Sequence, residues 1–339
     1  MNKPTVLLMF GGESSEHSVS MLSARNVLDA MDKDRYDAEL CYIDISGRFW
    51  SVDKIDDAKS DTAEEMMPQL GTGTFVTTTG RLIKVDVIFP ILHGTNGEDG
   101  TVQGMAQLLH IPVVGCDMTA SAIAMSKRMA KQIAWSNGVG ILAYHIHHRA
   151  DPTPDYEVLK QDLDELMFVK PDSAGSSIGV NRAHDQETLE AALEEAHKYD
   201  DVVLIEKGLD RPRELEVAVF GTYPDIRLSS IAEVKPDSEF YSFDSKYDEK
   251  STSEVVIPAE LNEDNAKVVK DMAKFIYYLI GCKGMARVDF LQKADTVYFN
   301  EINTIPGFTN ISVYPKAWEH EGVGYSELID MLIANALEK

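Results

Sequence analysis

The sequence predicts an α/β lobe built on a parallel sheet, followed by smaller α+β lobes. Its length of 339 residues is too great for one typical hydrophobic core, so we expect two or three lobes. Near the N-terminus buried strands alternate with helices, and this alternation is typical of a parallel sheet. From about Thr119 the pattern changes to short strands mixed with helices, which indicates α+β structure.

The N-terminal lobe places two polar loops after predicted strands. The first strand, TVLLMF, leads through the turn GGESSEHS into the helix VSMLSARNVLDAMD. Strands are also predicted in AELCYIDI, VDVIFPIL and IPVVG, and a helix in TVQGMAQLLH. Glu16 lies in the first loop and His93 in the loop HGTNGEDGT. Either residue alone is typical of a polar loop, but ligands of open α/β sheets bind outside the carboxyl ends of the strands.

The remaining chain contains several further predicted elements. One helix is expected over ASAIAMSKRMAKQIAWSNG, then strands in AYHIHH, LMFVKP and VVLIEKGL around the helix DQETLEAALEEAHKY. More strands begin at RELEVAVFG, with helices in NEDNAKVVKDMAKFIYYLIG and YSELIDMLIANALEK. The segments GMARVDFLQ and DTVYFNEIN are predicted to pair as a hairpin, and SFDSKYDEKSTSEVVIP is the most linker-like segment.

Composition excludes several classes of protein. The net charge of −24 disfavours a nucleic-acid partner, because phosphate backbones are bound by basic surfaces. No segment approaches the ~20 apolar residues of a membrane span, and VLLMF is too short for a signal peptide. The three cysteines are odd in number and far apart, which indicates neither a disulfide framework nor a zinc site. We therefore expect a cytoplasmic protein without a membrane partner.

A metal site is predicted where the two hairpin strands meet. Side chains at alternate strand positions share a face, so Glu301 and Asn303 point the same way, as do Arg287 and Asp289. A hairpin would bring the two faces together. Carboxylate and amide oxygens are suitable ligands for Mg²⁺. A solvated ion pair would explain one such strand, but two convergent strands favour a metal site.

Three weaker signals indicate a phosphate or nucleotide site. Lys170 ends a strand before the small-residue loop SAGSS, whose backbone N–H groups could approach phosphate, although an ordinary turn explains it equally well. Glu206 and Lys207 follow a strand, where exposed charges are the simpler interpretation. Lys127 lies on a predicted helix, where a solvated lysine is the simpler interpretation. The triplet His145, His147 and His148 could suggest zinc, but no acidic or cysteine residue lies at a useful spacing, so it is interpreted as a strand edge.

Six motifs in collinear order resemble the D-alanine–D-alanine ligase family of the ATP-grasp superfamily. They are FGGESSEHSVS, LHGTNGEDGTVQG, KPDSAGSSIGV, EFYSFDSKY, ARVDF and NEINTIPGFT, and the resemblance covers nearly the whole chain. It implies an ATP-grasp fold of three lobes with a Rossmann-like N-terminal domain. The expected divisions are a substrate-binding domain over residues 1–118, a small ATP-grasp subdomain over 119–208, and a C-terminal ATP-grasp subdomain over 209–339.

The resemblance also implies a role for each motif residue. Two Mg²⁺ ions, which Mn²⁺ could replace, would be bound by Asp289, Glu301 and Asn303. ATP would be contacted by Lys127, Lys170, Glu206, Lys207, Leu209, Glu214 and Lys246. The amino acids would be bound by Glu16, His93, Arg287, Gly307 and Ser312. The catalytic set would be Glu16, Ser176, Arg287 and Tyr247, with Ser176 and Tyr247 also fixing a mobile loop.

The implied reaction is ATP-dependent ligation of two D-alanines through an acyl phosphate, for peptidoglycan synthesis, and the implied assembly is a homodimer. The chain departs from the family at Ser242 and Phe243, where Asp-Tyr is common, and at Ala174, where a longer residue is frequent. The alternatives are a D-alanine–D-lactate or D-alanine–D-serine ligase, another ATP-grasp carboxylate–amine ligase, and a nucleotide-binding module without ligase activity. Lactate-type relatives often carry Phe at the position of Tyr247, so this tyrosine favours an amine acceptor.

Overall fold

Three β-sheets with flanking helices make up the described part of the chain, which is residues 3–57, 63–235 and 254–338 of a computed structural model. The linker-like segment, including Lys246 and Tyr247, lies almost wholly outside the described residues. Among the described residues no helix is long and apolar enough to cross a membrane.

The first sheet is parallel only at its centre. Its strands are β1 (Thr5–Gly11), β2 (Asp37–Ile43), β3 (Phe49–Val52), β4 (Glu64–Gln69), β5 (Thr74–Thr77), β6 (Leu82–Lys84) and β7 (Val87–Ile91), in the order β6-β5-β4-β3-β2-β1-β7. β1 pairs in parallel with β2 and β7, as predicted, and β3 to β6 extend the sheet in antiparallel fashion. The prediction missed this extension. The expected strand IPVVG is reduced to one bridge between Ile88 and Val113.

The helices beside this sheet are α1 (His17–Ala30) and α2 (Thr101–Leu109), followed by α3 (Met118–Met125) and α4 (Lys127–Ser136). The prediction of one continuous helix over the last two was wrong. Ser126 divides them, because its backbone is extended (φ −81°, ψ 106°) and its side chain caps α4 by accepting a hydrogen bond from the Met129 N–H.

The second sheet is small and antiparallel. Its strands are β8 (Tyr144–His148), β9 (Met167–Pro171), β10 (Asn181–Ala183) and β11 (Val202–Lys207), in the order β10-β9-β11-β8. Two helices, α5 (Tyr156–Leu163) and α6 (Gln186–Ala196), pack on it through a core that includes Leu163, Val169, Leu189 and Ile205. The strands at the centre of this sheet carry Lys170 and Glu206.

The third sheet carries the predicted hairpin. Its strands are β12 (Arg213–Phe220), β13 (Arg227–Lys235), β14 (Glu254–Val256), β15 (Met285–Lys293) and β16 (Thr296–Asn303), in the antiparallel order β14-β13-β12-β15-β16. The helices that follow β14 and β16 are α7 (Glu263–Ile280), α8 (Val313–His320) and α9 (Tyr325–Leu337). The prediction missed α8.

Two buried cores connect elements that are distant in sequence. One joins Phe10 and Phe89 of the first sheet to Phe220, Trp318 and Leu328, so the last two helices pack against the N-terminal lobe. The other joins α3 and α4 to the third sheet and α7. This packing holds the first and third sheets against each other. As a result, the loops that follow β1, β7 and β16 lie close together. The division of the chain into three domains at residues 118 and 208 stays a prediction.

Candidate active site

The hairpin of β15 and β16 brings four polar side chains onto one patch. In its register Asp289 lies opposite Glu301 and Arg287 opposite Asn303, as the alternation of the sequence predicted. A bulge after Asp289 shifts the register by one residue, and the pairing resumes with Phe290 opposite Phe299. The patch therefore combines two carboxylates, one amide and one guanidinium at the ends of two neighbouring strands.

Arg287 is held in place by two acidic side chains. Its Nε and Nη2 donate to Asp289 Oδ1 and Oδ2 at 2.8 and 2.7 Å, and its Nε lies 2.9 Å from Glu216 Oε2. Burial alone would lower the pKa of Arg287, but Asp289 and Glu216 raise it well above its usual value. The guanidinium is therefore a fixed positive charge in the site.

The patch fits a magnesium site of the kind that shares its ion with a phosphate ligand. Asn303 Nδ2 donates to Asp289 Oδ2 at 2.9 Å, which leaves the Asn303 amide oxygen for another partner. No group of three or more His, Cys, Asp or Glu side chains arranged for a metal occurs within residues 3–57, 63–235 and 254–338. Mg²⁺ commonly takes only one or two carboxylates and completes its shell with phosphate oxygens and water, so two carboxylates and an amide are a suitable donor set.

A cleft between the second and third sheets contains the predicted nucleotide residues. Its empty space, including the open mouth, is about 1110 Å³. The predicted residues that line it are Lys127, Lys170, Glu206, Lys207, Leu209, Glu214, Arg287, Asp289 and Glu301. Lys207 also pairs with Asp164. Lys246 is outside the described residues, so the structure does not place it.

Glu206, which lines this cleft, lies between two lysines. Glu206 Oε1 lies 2.5 Å from Lys131 Nζ, and its Oε2 lies 2.5 Å from Lys170 Nζ. Lys131 is fully buried and Glu206 is nearly so. Burial would raise the pKa of Glu206, but the two lysines outweigh it and lower that pKa. Sequence reasoning missed Lys131; the only signal was its position one helical turn after Lys127.

Lys127 is aimed at the hairpin patch by the start of α4. It is buried rather than solvated, its Nζ donates to the Ala174 carbonyl at 2.5 Å, and it lies 3.7 Å from Glu301 Oε2. Ser126 Oγ donates to Asp172 Oδ2 at 2.7 Å while accepting from the Met129 N–H at 3.2 Å. Ser126 therefore fixes the helix terminus that carries Lys127.

Replacing Ser126 with alanine is expected to lower the free energy of unfolding by about 1 kcal/mol, because a helix cap and its link to Asp172 are lost together. The Michaelis constant for ATP should rise as Lys127 loses its fixed position. Urea denaturation and ATP titration measure the two effects. The control is Ser136→Ala at the exposed end of α4, where the hydroxyl donates to the Ile133 carbonyl of the same helix. Equal effects of the two substitutions would contradict this role for Ser126.

A second pocket, adjacent to the cleft, contains the residues predicted to bind amino acids. Those that line it are Glu16, His93, Ser176, Arg287, Gly307 and Ser312. Ser176 Oγ donates to Glu16 Oε1 across the two lobes. Ser176 and Ser177 both have positive φ values of 50° and 60°, an uncommon backbone conformation for serine. The loop SAGSS is therefore shaped to reach Glu16 rather than being an ordinary turn.

His93 is a buried neutral ring with a defined tautomer. Its Nδ1 lies 3.1 Å from the Ile305 carbonyl, so Nδ1 carries the proton, and Nε2 accepts from Ser23 Oγ at 3.2 Å. Burial lowers the pKa of His93, although the Glu16 carboxylate opposes this shift. His93 therefore links the N-terminal lobe to the turn after β16.

That turn brings Gly307 against Ser312. Ser312 Oγ lies 2.8 Å from Thr309 Oγ1, and it accepts from the Thr309 N–H at 3.1 Å. A Cβ atom at Gly307 would lie 2.8 Å from Ser312 Oγ, too close for any larger residue without displacement. The absence of a side chain at residue 307 therefore keeps the Ser312 hydroxyl accessible to the pocket.

The structure places the histidine run on an edge strand, as predicted, and adds residues to the site that the sequence did not single out. His147 pairs with His197 at 2.9 Å on the edge of the second sheet and lies on neither pocket wall. Sequence reasoning gave no role to Glu216 or Glu98, although both line the second pocket. Glu216 could have been found from its spacing of two after Glu214, which places both on one face of β12. Tyr247 lies outside the described residues.

Comparisons with known proteins agree with this arrangement. Residues 5–116 match the model of the D-ala D-ala ligase N-terminus, and residues 135–334 match that of the D-ala D-ala ligase C-terminus. The chain belongs to the D-alanine–D-alanine ligase family. A family relative, the D-alanine–D-alanine ligase of Caldicellulosiruptor bescii, is 41% identical over 100% of this chain and 96% of its own length.

Two solved structures of the family superimpose closely on the chain. The VanG D-Ala:D-Ser ligase of Enterococcus faecalis has a TM-score of 0.89 at 31% identity and covers 99% of this chain and 100% of its own. The D-alanine–D-alanine ligase of Coxiella burnetii has a TM-score of 0.85 at 31% identity, with 99% and 96% covered. These likenesses confirm the predicted ATP-grasp fold. Family membership also confirms that the protein is a ligase that uses ATP.

Proposed function

We propose that the protein joins two D-alanine molecules into D-alanyl-D-alanine for peptidoglycan synthesis, through an acyl phosphate formed from ATP. The observation that carries this proposal is that three side chains line both the nucleotide cleft and the adjacent pocket. These side chains are Glu216, Arg287 and Glu301. A phosphate at the end of the cleft and a carboxylate in the pocket would therefore meet at the same side chains, as transfer of the γ-phosphate to a carboxylate requires.

We divide the residues that line the nucleotide cleft among the parts of ATP. We assign the phosphates to Lys127, which lies 3.7 Å from Glu301 of the hairpin patch, and to Lys170. We assign the adenine to the part of the cleft that is lined by Glu206, Lys207 and Leu209, and the ribose to Glu214. From the sequence, Lys246 would add a further phosphate contact.

The N-terminal lobe forms one side of the amino-acid pocket, and the turn after β16 forms the other side. Glu16, next to neutral His93, would bind the ammonium group of the first D-alanine. Ser312, beside Gly307, would bind the carboxylate of the second. Ser176 would hold its loop over the pocket through Glu16, and Tyr247 would act with it.

The proposed reaction has two chemical steps. A carboxylate oxygen of the first D-alanine attacks the γ-phosphorus and ADP leaves, which gives the acyl phosphate. The amine of the second D-alanine attacks the acyl carbon, loses a proton and displaces inorganic phosphate. Arg287 stabilises the negative charge that develops on the carbonyl oxygen, and little reorganisation is needed because Asp289 and Glu216 already hold it. The proximity of the two pockets supplies the alignment.

We further propose that Asp289, Glu301 and Asn303 bind two Mg²⁺ ions, which Mn²⁺ can replace. Bound there, the ions would neutralise charge on the ATP phosphates. Lys127, 3.7 Å from Glu301, is close enough to act on the same phosphates. We also propose that the protein works in the cytoplasm as a homodimer, which light scattering of the purified protein would test.

The second substrate, which attacks the acyl phosphate, has two alternatives to D-alanine. One structural relative is a D-Ala:D-Ser ligase, so D-serine and D-lactate are the acceptors to compare with D-alanine. Tyr247 favours an amine over D-lactate. With equal concentrations of the three acceptors, we expect D-alanyl-D-alanine to be the main product at neutral to alkaline pH. Mass spectrometry of the products measures this, and a main product that contains serine or lactate would overturn the acceptor assignment.

Isotope transfer tests the acyl phosphate directly. D-Alanine labelled with ¹⁸O in its carboxylate is expected to pass one labelled oxygen to inorganic phosphate for each dipeptide formed. The reason is that the oxygen that attacks phosphorus leaves with the phosphate. Phosphate without label, together with normal dipeptide formation, would rule out this route. ADP release without any dipeptide would rule out the ligase function.

A further inference from the structure

The turn after β16 is tied to the N-terminal lobe by both polar atoms of one residue. The Ile305 N–H donates to Glu98 Oε1 at 3.2 Å, and the Ile305 carbonyl accepts from His93 Nδ1 at 3.1 Å. The other oxygen of Glu98, Oε2, accepts from the Gly94 N–H at 2.8 Å. One carboxylate thus bridges a loop of the first sheet and a turn of the third.

Glu98 occupies a central position in the site. It lines the amino-acid pocket with Glu16 and Ser312, and it also lines the small cavity that contains Lys127 and Glu301. The turn that it binds runs from Asn303 to Ser312. The bridge therefore lies between the groups assigned to the first amino acid and those assigned to the second.

Its environment makes ionisation of the Glu98 carboxyl group unfavourable. Burial and the nearby charge of Glu16 raise the pKa of Glu98 to about 8. When it is ionised, above that pKa, the carboxylate offers two acceptor oxygens, and each accepts one backbone N–H, one from Gly94 of the first lobe and one from Ile305 after β16. A glutamine offers one acceptor oxygen and could satisfy only one of the two N–H groups.

We propose that Glu98 is a positioning residue that sets the distance between the two halves of the amino-acid pocket. The inference rests on the proposed function and deepens it. The Glu16–His93 half belongs to the first lobe and the Gly307–Ser312 half to the third sheet, and the bridge at Ile305 joins them. The amine of the second amino acid must lie about 3–3.5 Å from the acyl carbon to attack it. A pocket without the bridge is wider, and water then competes with the amine for the acyl phosphate.

The first test compares Glu98→Gln with Asp99→Asn. Asp99 is the adjacent acid in the same loop, and it accepts hydrogen bonds from the N–H groups of Asn96 and Thr101, both in its own loop or at the start of α2. At a pH above the pKa of Glu98, where its carboxylate is ionised, we expect Glu98→Gln to raise the Michaelis constant for the second D-alanine about tenfold, the equivalent of one hydrogen bond. The number of ADP molecules released per dipeptide should exceed one, while nucleotide affinity without amino acid stays unchanged. Asp99→Asn should keep the wild-type values.

The second test does not depend on activity. Hydrogen exchange at the Ile305 and Gly94 amides should accelerate about tenfold at one or both sites in Glu98→Gln, and at neither site in Asp99→Asn. The proposal is overturned if both amides keep wild-type protection. It is also overturned if Glu98→Gln makes one dipeptide per ADP with an unchanged Michaelis constant, or if it weakens nucleotide and amino-acid binding equally. If the wild type makes no dipeptide, the proposed function fails, whereas faster exchange in Glu98→Gln still supports the bridge.

Discussion

Replacing Glu301 with glutamine is expected to lower kcat by about 10²–10³-fold or more, the loss typical when one preorganised electrostatic contact is removed from an active site. Glu301 lies opposite Asp289 on the hairpin and 3.7 Å from Lys127, on the wall that both pockets share. Glutamine keeps the shape of the side chain but removes the charge that a metal ion requires. Steady-state kinetics across a range of Mg²⁺ concentrations measures the effect.

The matched control for this variant is Asp295→Asn. Asp295 lies exposed in the turn of the same hairpin, away from both pockets, and the substitution makes the same change of charge. Its activity and its melting temperature should be close to those of the wild type. Near-wild-type turnover by Glu301→Gln at saturating Mg²⁺ would be incompatible with the proposed metal site.

Replacing Glu206 with glutamine is expected to lower the free energy of unfolding by about 3–5 kcal/mol, the typical cost of removing one partner of a buried ion pair. The lost carboxylate leaves Lys131 fully buried beside Lys170, another cation. Because the lysines lower the pKa of Glu206 below its usual 4.5, the pair contributes stability at neutral pH. That contribution is lost as the pH falls through the lowered pKa, so the difference between wild type and variant should shrink in acid.

Urea denaturation at several pH values measures this difference. The control is Glu195→Gln, which breaks the exposed pair with Lys198 and should leave the free energy of unfolding nearly unchanged, because exposed ion pairs contribute little. A loss no larger than that of the control would show that Glu206 is not needed to compensate Lys131. Glu206→Gln should also raise the Michaelis constant for ATP, because Lys170 loses the partner that orients it.

The hairpin patch could be predicted because it depends only on local rules. The two-residue period of a strand places Glu301 beside Asn303 and Arg287 beside Asp289, and a short connection forces the two strands to pair. The same reasoning found the parallel centre of the first sheet, whose strands are apolar and alternate with helices. Family resemblance then supplied the ATP-grasp fold, which no local rule contains.

The parts that could not be predicted depend on packing between distant segments. Lys131 has the sequence pattern of a solvated lysine, and only the approach of β11 to α4 buries it against Glu206. The strands β3 to β6 are three to six residues long, and β4 contains Pro68, a residue that weakens a strand assignment. The bridge at Glu98 involves Ile305, which is more than two hundred residues away in sequence.

The joint core of the N-terminal lobe and the last two helices affects how the protein can be synthesised. Phe10 and Phe89 leave the ribosome early, but their core also contains Trp318, Leu328 and Ile333 of α8 and α9. A nascent chain that ends before residue 313 therefore exposes an apolar face that α8 and α9 later cover. The N-terminal lobe is synthesised long before the helices that complete its core, and a chaperone that holds this face would act during the interval between the two events.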